Sequence, residues 1–268
     1  MESAEEKQLM NYIRSTFNYK IDVDAYNFQD RAKLQLLSYK TYKVYFQPLT
    51  APGFKDKQDK YHEMTMKAFD VWSEALDGKI KFSKAKSEYE SDIKVFFLAA
   101  SRTKLGKQYQ EMIPSGIFYL KGKLCIAIGI RNSNNEKIDY DKVYHVILHE
   151  IGHIMCLGHS SAANDVMSRI ADEYPTELSE NDIFVLRLIY SFGSGVSYED
   201  KKQYIDQCAK KFIKDKASKK LPAESAALID KTPKAKARQD KNLLEELDSI
   251  SDLKKYKMII ANLNVKNK

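Results

Sequence analysis

The apolar positions of this chain change period several times, and each change predicts an element. Over residues 2–17, Leu9, Met10, Ile13 and Phe17 recur at helical spacing behind acids in the first turn, which predicts a short amphipathic helix. Residues 18–42 are mixed and aromatic-rich and suggest no regular element. Residues 42–46 alternate and are rich in β-formers, so they predict a strand. Ala51-Pro52-Gly53 marks a loop. Residues 60–76 predict a helix with Met64, Ala68, Val71 and Trp72 on one face. Further strands are expected over 80–82 and 92–99, and a polar loop over 101–112. Residues 116–120 and 124–130 predict two strands joined by a tight turn at 121–123. A helix begins near 139–142 and carries the chain into its most chemically specific stretch. Farther on, Tyr204, Ile205, Cys208, Phe212 and Ile213 form the apolar stripe of a helix over 197–220 that Leu221-Pro222 ends. A short helix over 223–229 and a last one over 242–261 follow, separated by a basic linker.

Composition bounds the class. The 268 residues are 43% hydrophobic, enough for one domain with additions and a sizeable core, and too apolar for global disorder. The net charge is +7, and residues 196–268 hold all of the excess, with 18 Lys and Arg against 11 Asp and Glu. That basic surface reads as solvated helix. It lacks the interleaved aromatics of a single-strand binder, so no nucleic-acid partner is expected. Three cysteines (Cys125, Cys156 and Cys208) allow at most one disulfide, and Cys125 reads as a core residue. No run of 18 apolar residues predicts a membrane span, and the first residues have no apolar signal core.

The chemistry lies in residues 143–167. His149 and His153 are four apart, which puts both imidazoles on one helix face, where they can grip one zinc ion. Glu150 follows the first of them, within reach of a water on that metal. His159 lies six residues beyond His153 and can join the pair only if the helix stops and the chain doubles back. Gly158 supplies a residue that can take positive φ just before it.

The run His149-Glu150-Ile151-Gly152-His153, with His159, Ser160 and Met167 behind it, resembles the metzincin zinc-peptidase signature and, within it, the matrixins. Residues 68–73 are similar to the first matrixin helix, 91–97 to the central strand, and 178–190 to the closing helix, so the likeness covers roughly 43–192. It implies an α+β fold: a twisted, mixed five-stranded sheet with an antiparallel edge strand, packed on the zinc helix, plus a helical C-terminal extension. Residues 1–42 would be an N-terminal helical or leader segment, 43–195 the catalytic domain, and 196–268 the basic extension. A bacterial-type member without a hemopexin propeller fits best. The resemblance also implies one catalytic Zn2+ held by His149, His153 and His159, with Glu150 as general base and Met167 as the Met-turn floor. His145, one turn before His149, would line the pocket for the side chain after the scissile bond; a solvated surface histidine is the plainer reading. The substrate would be a protein or peptide, and the enzyme a monomer, secreted or at the cell surface, with cytosolic use left open. No acid-rich calcium loop or extra histidines are found, so neither a calcium site nor a second zinc is expected; His62 reads as a surface residue.

The likeness has departures and rivals. Cys156 stands where the motif has the Gly that ends the helix, Ser168-Arg169 replaces the Pro after the Met, and Asn181-Asp182 replaces two adjacent acids. Arg169 stands where some metzincins carry a tyrosine ligand. No cysteine precedes Cys125, so a latency segment would have to offer Asp22 or Asp24; a structural helix packed on the domain is the simpler expectation. A peptidase using Glu173 or Glu177 as third ligand, and a non-catalytic module on the same fold, remain as rivals, and the intact Glu150 argues against the second.

Overall fold

The computed structural model of the chain describes residues 3–24, 27–33, 35–50, 53–98, 115–130, 137–169 and 174–218. Helix α1 (Ala4–Phe17) begins where the Ser3 side chain accepts the Glu6 amide, with Glu5 and Glu6 at its positive end. Its predicted stripe of Leu9, Met10, Ile13 and Phe17 is buried. Two strands follow where the hydrophobic pattern suggested none: β1 (Lys20–Asp24) and β2 (Asn27–Lys33), an antiparallel pair. The remaining elements are β3 (Thr41–Phe46), α2 (Gln58–Ala75), β4 (Lys81–Lys84), β5 (Ile93–Leu98), β6 (Gly116–Leu120), β7 (Lys123–Gly129), α3 (Tyr140–Ile154), α4 (Glu180–Phe192) and α5 (Tyr198–Ala217).

The expected mixed sheet is present. Strands β4, β3, β5 and β7 run parallel, and β6 lies antiparallel beside β7. The β6–β7 turn has Lys121 and Gly122 at φ 51° and 74°, the two-residue hairpin geometry whose twist matches the strands. The sheet does not stop at β6. Strand β1 adds to it in parallel, with Asp22 opposite Phe118, and the full order is β2-β1-β6-β7-β5-β3-β4.

Helices α2 and α3 pack together and against this sheet. Trp72 is wholly buried between them and donates its indole N–H to the Leu148 carbonyl at 2.9 Å. Phe69 packs on Phe82 of β4 with ring centroids 4.3 Å apart and the rings tilted by 31°. Arg187 of α4 clamps the end of α2, donating to the Ala75 carbonyl at 2.8 Å and to Asp77 at 3.0 Å.

Helix α5 packs on α1 and α4, burying Ile205, Cys208, Ala209 and Phe212, and Phe212 stacks on Phe184 at 4.2 Å. The sequence boundary at 195/196 therefore falls between two helices that share one core. The chain divides into two compact units, Met1–Lys220 and Leu221–Lys268, and the helices expected over 223–229 and 242–261 lie outside the described residues. No described helix is long and apolar enough to cross a membrane.

Candidate metal centre

Helix α3 carries the first two histidines and is almost entirely buried, which fixes its rotation as well as its position. Asp139 caps it by accepting the Asp141 amide at 2.8 Å. The helix ends one residue after His153. The Cys156 and Leu157 amides donate back to the His153 and Gly152 carbonyls, each at 2.9 Å. Cys156 has φ 70°, so the left-handed turn falls on the cysteine and not on Gly158. Gly158 is required for a different reason. A Cβ there would strike the backbone of Ser15, which lies against the loop.

Reversed by this turn, the chain brings His159 back to the pair. Candidate ligand atoms of His149, His153 and His159 all lie within 4.8 Å of one another. The Nδ1 of His149 is 2.8 Å from the Val166 carbonyl, and that of His153 is 2.8 Å from the Leu157 carbonyl. A carbonyl oxygen can only accept, so in both rings the proton sits on Nδ1 and Nε2 keeps its lone pair. Burial lowers the pKa of all three rings, to about 4 for His149, to about 3 for His159 and well down for His153, which keeps them neutral. Three neutral imidazoles whose ligand atoms lie this close together are a donor set that suits one zinc ion.

Glu150 is buried, and burial pushes its carboxyl up to about 8 against a hydrogen bond from Ser115. Its Oε2 has no hydrogen-bond partner among the described residues. A buried carboxyl of raised proton affinity one residue from a candidate metal ligand fits a group that takes a proton from water and gives it up again. Met167 is buried against α3. Gly152 makes room for it, since a Cβ there would overlap the Met167 sulfur and come within 2.9 Å of Trp72 Cζ2.

The loop from 160 to 168 is closed by the Ser160 amide donating to the Met167 carbonyl at 2.8 Å. Asp165 holds it from inside, accepting from Ser160 Oγ at 2.5 Å, Ser179 Oγ at 2.7 Å and Asn181 Nδ2 at 3.1 Å. Asp182 accepts the Val166 amide at 2.8 Å and the Tyr12 hydroxyl at 2.9 Å.

His145 is buried, not solvated. Its Nδ1 is 2.9 Å from the Pro175 carbonyl and its ring meets Tyr174 edge-on at 5.5 Å. His62 is half-buried, stacks on Phe46 at 4.2 Å and stands outside the histidine cluster. Glu177 is exposed and outside the cluster, and Glu173 lies outside the described residues. Asp22 and Asp24 are on β1, and their side chains lie outside the described residues. Ser15, Thr16, Tyr19, Asp165 and Asp182 touch the site or its loop without any signal in the histidine motif. Only Ser179 and Asp182 had a readable pattern, the spacing of a helix cap, and they form it: α4 starts with that capping box.

Such a donor set, on a helix and returning loop beneath a mixed sheet, is that of a zinc metallopeptidase. The chain belongs to the matrixin family, whose sequence model (Matrixin) matches residues 40–191, just over half of the chain. A search of curated proteins finds no match.

Proposed function

We propose that this protein is a zinc-dependent endopeptidase that hydrolyses peptide bonds in protein substrates. The observation that carries the reading is the convergence of His149, His153 and His159, two of them locked by carbonyls in the ligating tautomer. Zinc held there supplies Lewis acidity, polarising the scissile carbonyl and lowering the pKa of water. Glu150 accepts a proton from the water as its oxygen bonds to the carbonyl carbon, then delivers it to the amine as the C–N bond breaks. Met167 closes the floor under the imidazoles and keeps water from their inner side. His145, with Tyr174 and Pro175, forms the wall of the pocket for the side chain after the scissile bond, held by the contacts described above.

Purified protein is expected to carry about one zinc per chain and to cleave a peptide library in a chelator-sensitive, zinc-restored manner. Glu150→Gln should keep the metal and lose at least ~100-fold in kcat. Undiminished turnover in that variant, or full zinc occupancy in His159→Ala, would sink the mechanism. For the pocket, His145→Ala should admit larger side chains after the cleaved bond, shifting relative kcat/KM by roughly 1–3 kcal/mol. An unchanged cleavage profile would remove His145 from it.

A further inference from the structure

Helix α1 and the residues just after it lie outside the stretch that matches the family, yet they reach all three histidines. Ser15 Oγ accepts the backbone N–H of His159 at 2.9 Å. Thr16 Oγ1 accepts the N–H of Gly158 at 3.0 Å, and Thr16 is buried. Tyr19 lies flat on His153, with ring centroids 4.5 Å apart and planes 3° from parallel, and meets His159 edge-on at 6.4 Å. Tyr12 donates to Asp182, Asp182 accepts the Val166 amide, and the Val166 carbonyl receives the His149 ring proton. Thus α1 and the residues just after it touch His159 through its backbone, His153 through a stacked ring and His149 through two intermediaries.

From this convergence we infer that α1 is a brace for the metal centre, and that Ser15, Thr16 and Tyr19 are positioning residues for the zinc ligands. The loop holding His159 is where a brace is needed. It leaves a strained turn at Cys156, and the residues after His153 have no helix to hold their aim. Two side-chain oxygens of α1 supply what the missing helix would, taking successive backbone N–H groups that would otherwise be unpaired in a buried place. The absent side chain of Gly158 lets the Ser15 backbone come close enough to do so. The N-terminal residues then complete the site, and cutting them away should disable it rather than release it.

This inference rests on the zinc reading above, and its test separates the two. Zinc affinity is measured by chelator competition on the full-length chain, and the cobalt-substituted protein is followed by its visible absorption. Ser15→Ala, Thr16→Val and Tyr19→Ala should each weaken zinc binding about 10- to 100-fold and alter the cobalt spectrum. Ser15→Thr and Tyr19→Phe, which keep the hydroxyl and the ring, should restore both. Ile13→Ala, a buried position on the same helix, serves as the control for lost folding stability alone; it should lower the melting temperature and leave affinity in the folded protein unchanged. Wild-type affinity in Ser15→Ala, Thr16→Val and Tyr19→Ala, or an equal loss in Ile13→Ala, would overturn the brace while leaving the metal site standing. A wild-type chain that binds no zinc would overturn both.

Discussion

Asp182 draws donors from α1, from the loop before Met167 and from the start of α4 onto one side chain. It is fully buried and accepts from Tyr12, the Val166 and Ser179 amides and the Ser179 hydroxyl. Burial, reinforced by the neighbouring charge of Asp165, raises its carboxyl to about 6 despite those donors. The sign of the linkage follows. The folded state holds a proton that the unfolded chain, with a pKa of about 3.9, gives up earlier. The stabilisation is full below that value and is lost as pH rises through about 6. Asp182→Asn does not titrate, and its amide nitrogen cannot accept the Tyr12 hydroxyl that Oδ1 accepts now, so it should be less stable by about 1–3 kcal/mol. The gap between wild type and variant should be widest near pH 4 and narrow towards pH 7, as read by urea unfolding at several pH values. A gap that widens with pH would show that Asp182 is held ionised instead.

Among the elements, α5 makes the plainest case for reading packing over sequence boundaries. Its stripe was legible, but nothing in a stripe says which partner it covers. The partner is the α1–α4 pair, and Phe212, Ile205 and Tyr198 are buried with it. Burying side chains of this size is worth about 1.5–3 kcal/mol each, against a net domain stability of about 5–15 kcal/mol. A chain ending at Gly195 is therefore expected to lose cooperative thermal unfolding by circular dichroism, whereas one ending at Ser218 should keep it. Equal melts for the two would place α5 outside the folding unit. Strand β1 teaches the opposite lesson. Lys20-Ile21-Asp22-Val23-Asp24 does alternate, so a period of two was there to be read. It is short, and its partner β2 is mostly polar, so the local pattern named no strand there. Its pairing with β6, about a hundred residues away in the chain, supplied what local pattern could not.

At the scale of the whole unit, the same division holds for the candidate site. The three ligands and Glu150 fall within eleven residues, and helical spacing alone placed two of them on one face. The groups that aim them come from both ends of the unit, and no spacing rule connects Ser15 with His159 or Tyr12 with Asp182. The helix-ending turn was readable only as a choice between Cys156 and Gly158, because backbone strain at a cysteine depends on what surrounds it.

Those long connections also set an order in time. The hydrogen bonds from Tyr12 to Asp182 and from His159 to Ser15 join residues 170 and 144 positions apart. Closing such loops is slow compared with winding a helix, so α3 can form long before its histidines are aimed. A chain still on the ribosome can hold α1 and α3 and yet lack Asp182 and the core that α5 completes. Tertiary closure at the end of synthesis is then the step that turns three nearby imidazoles into a shaped cradle, and a half-made molecule carries the motif without the means to use it.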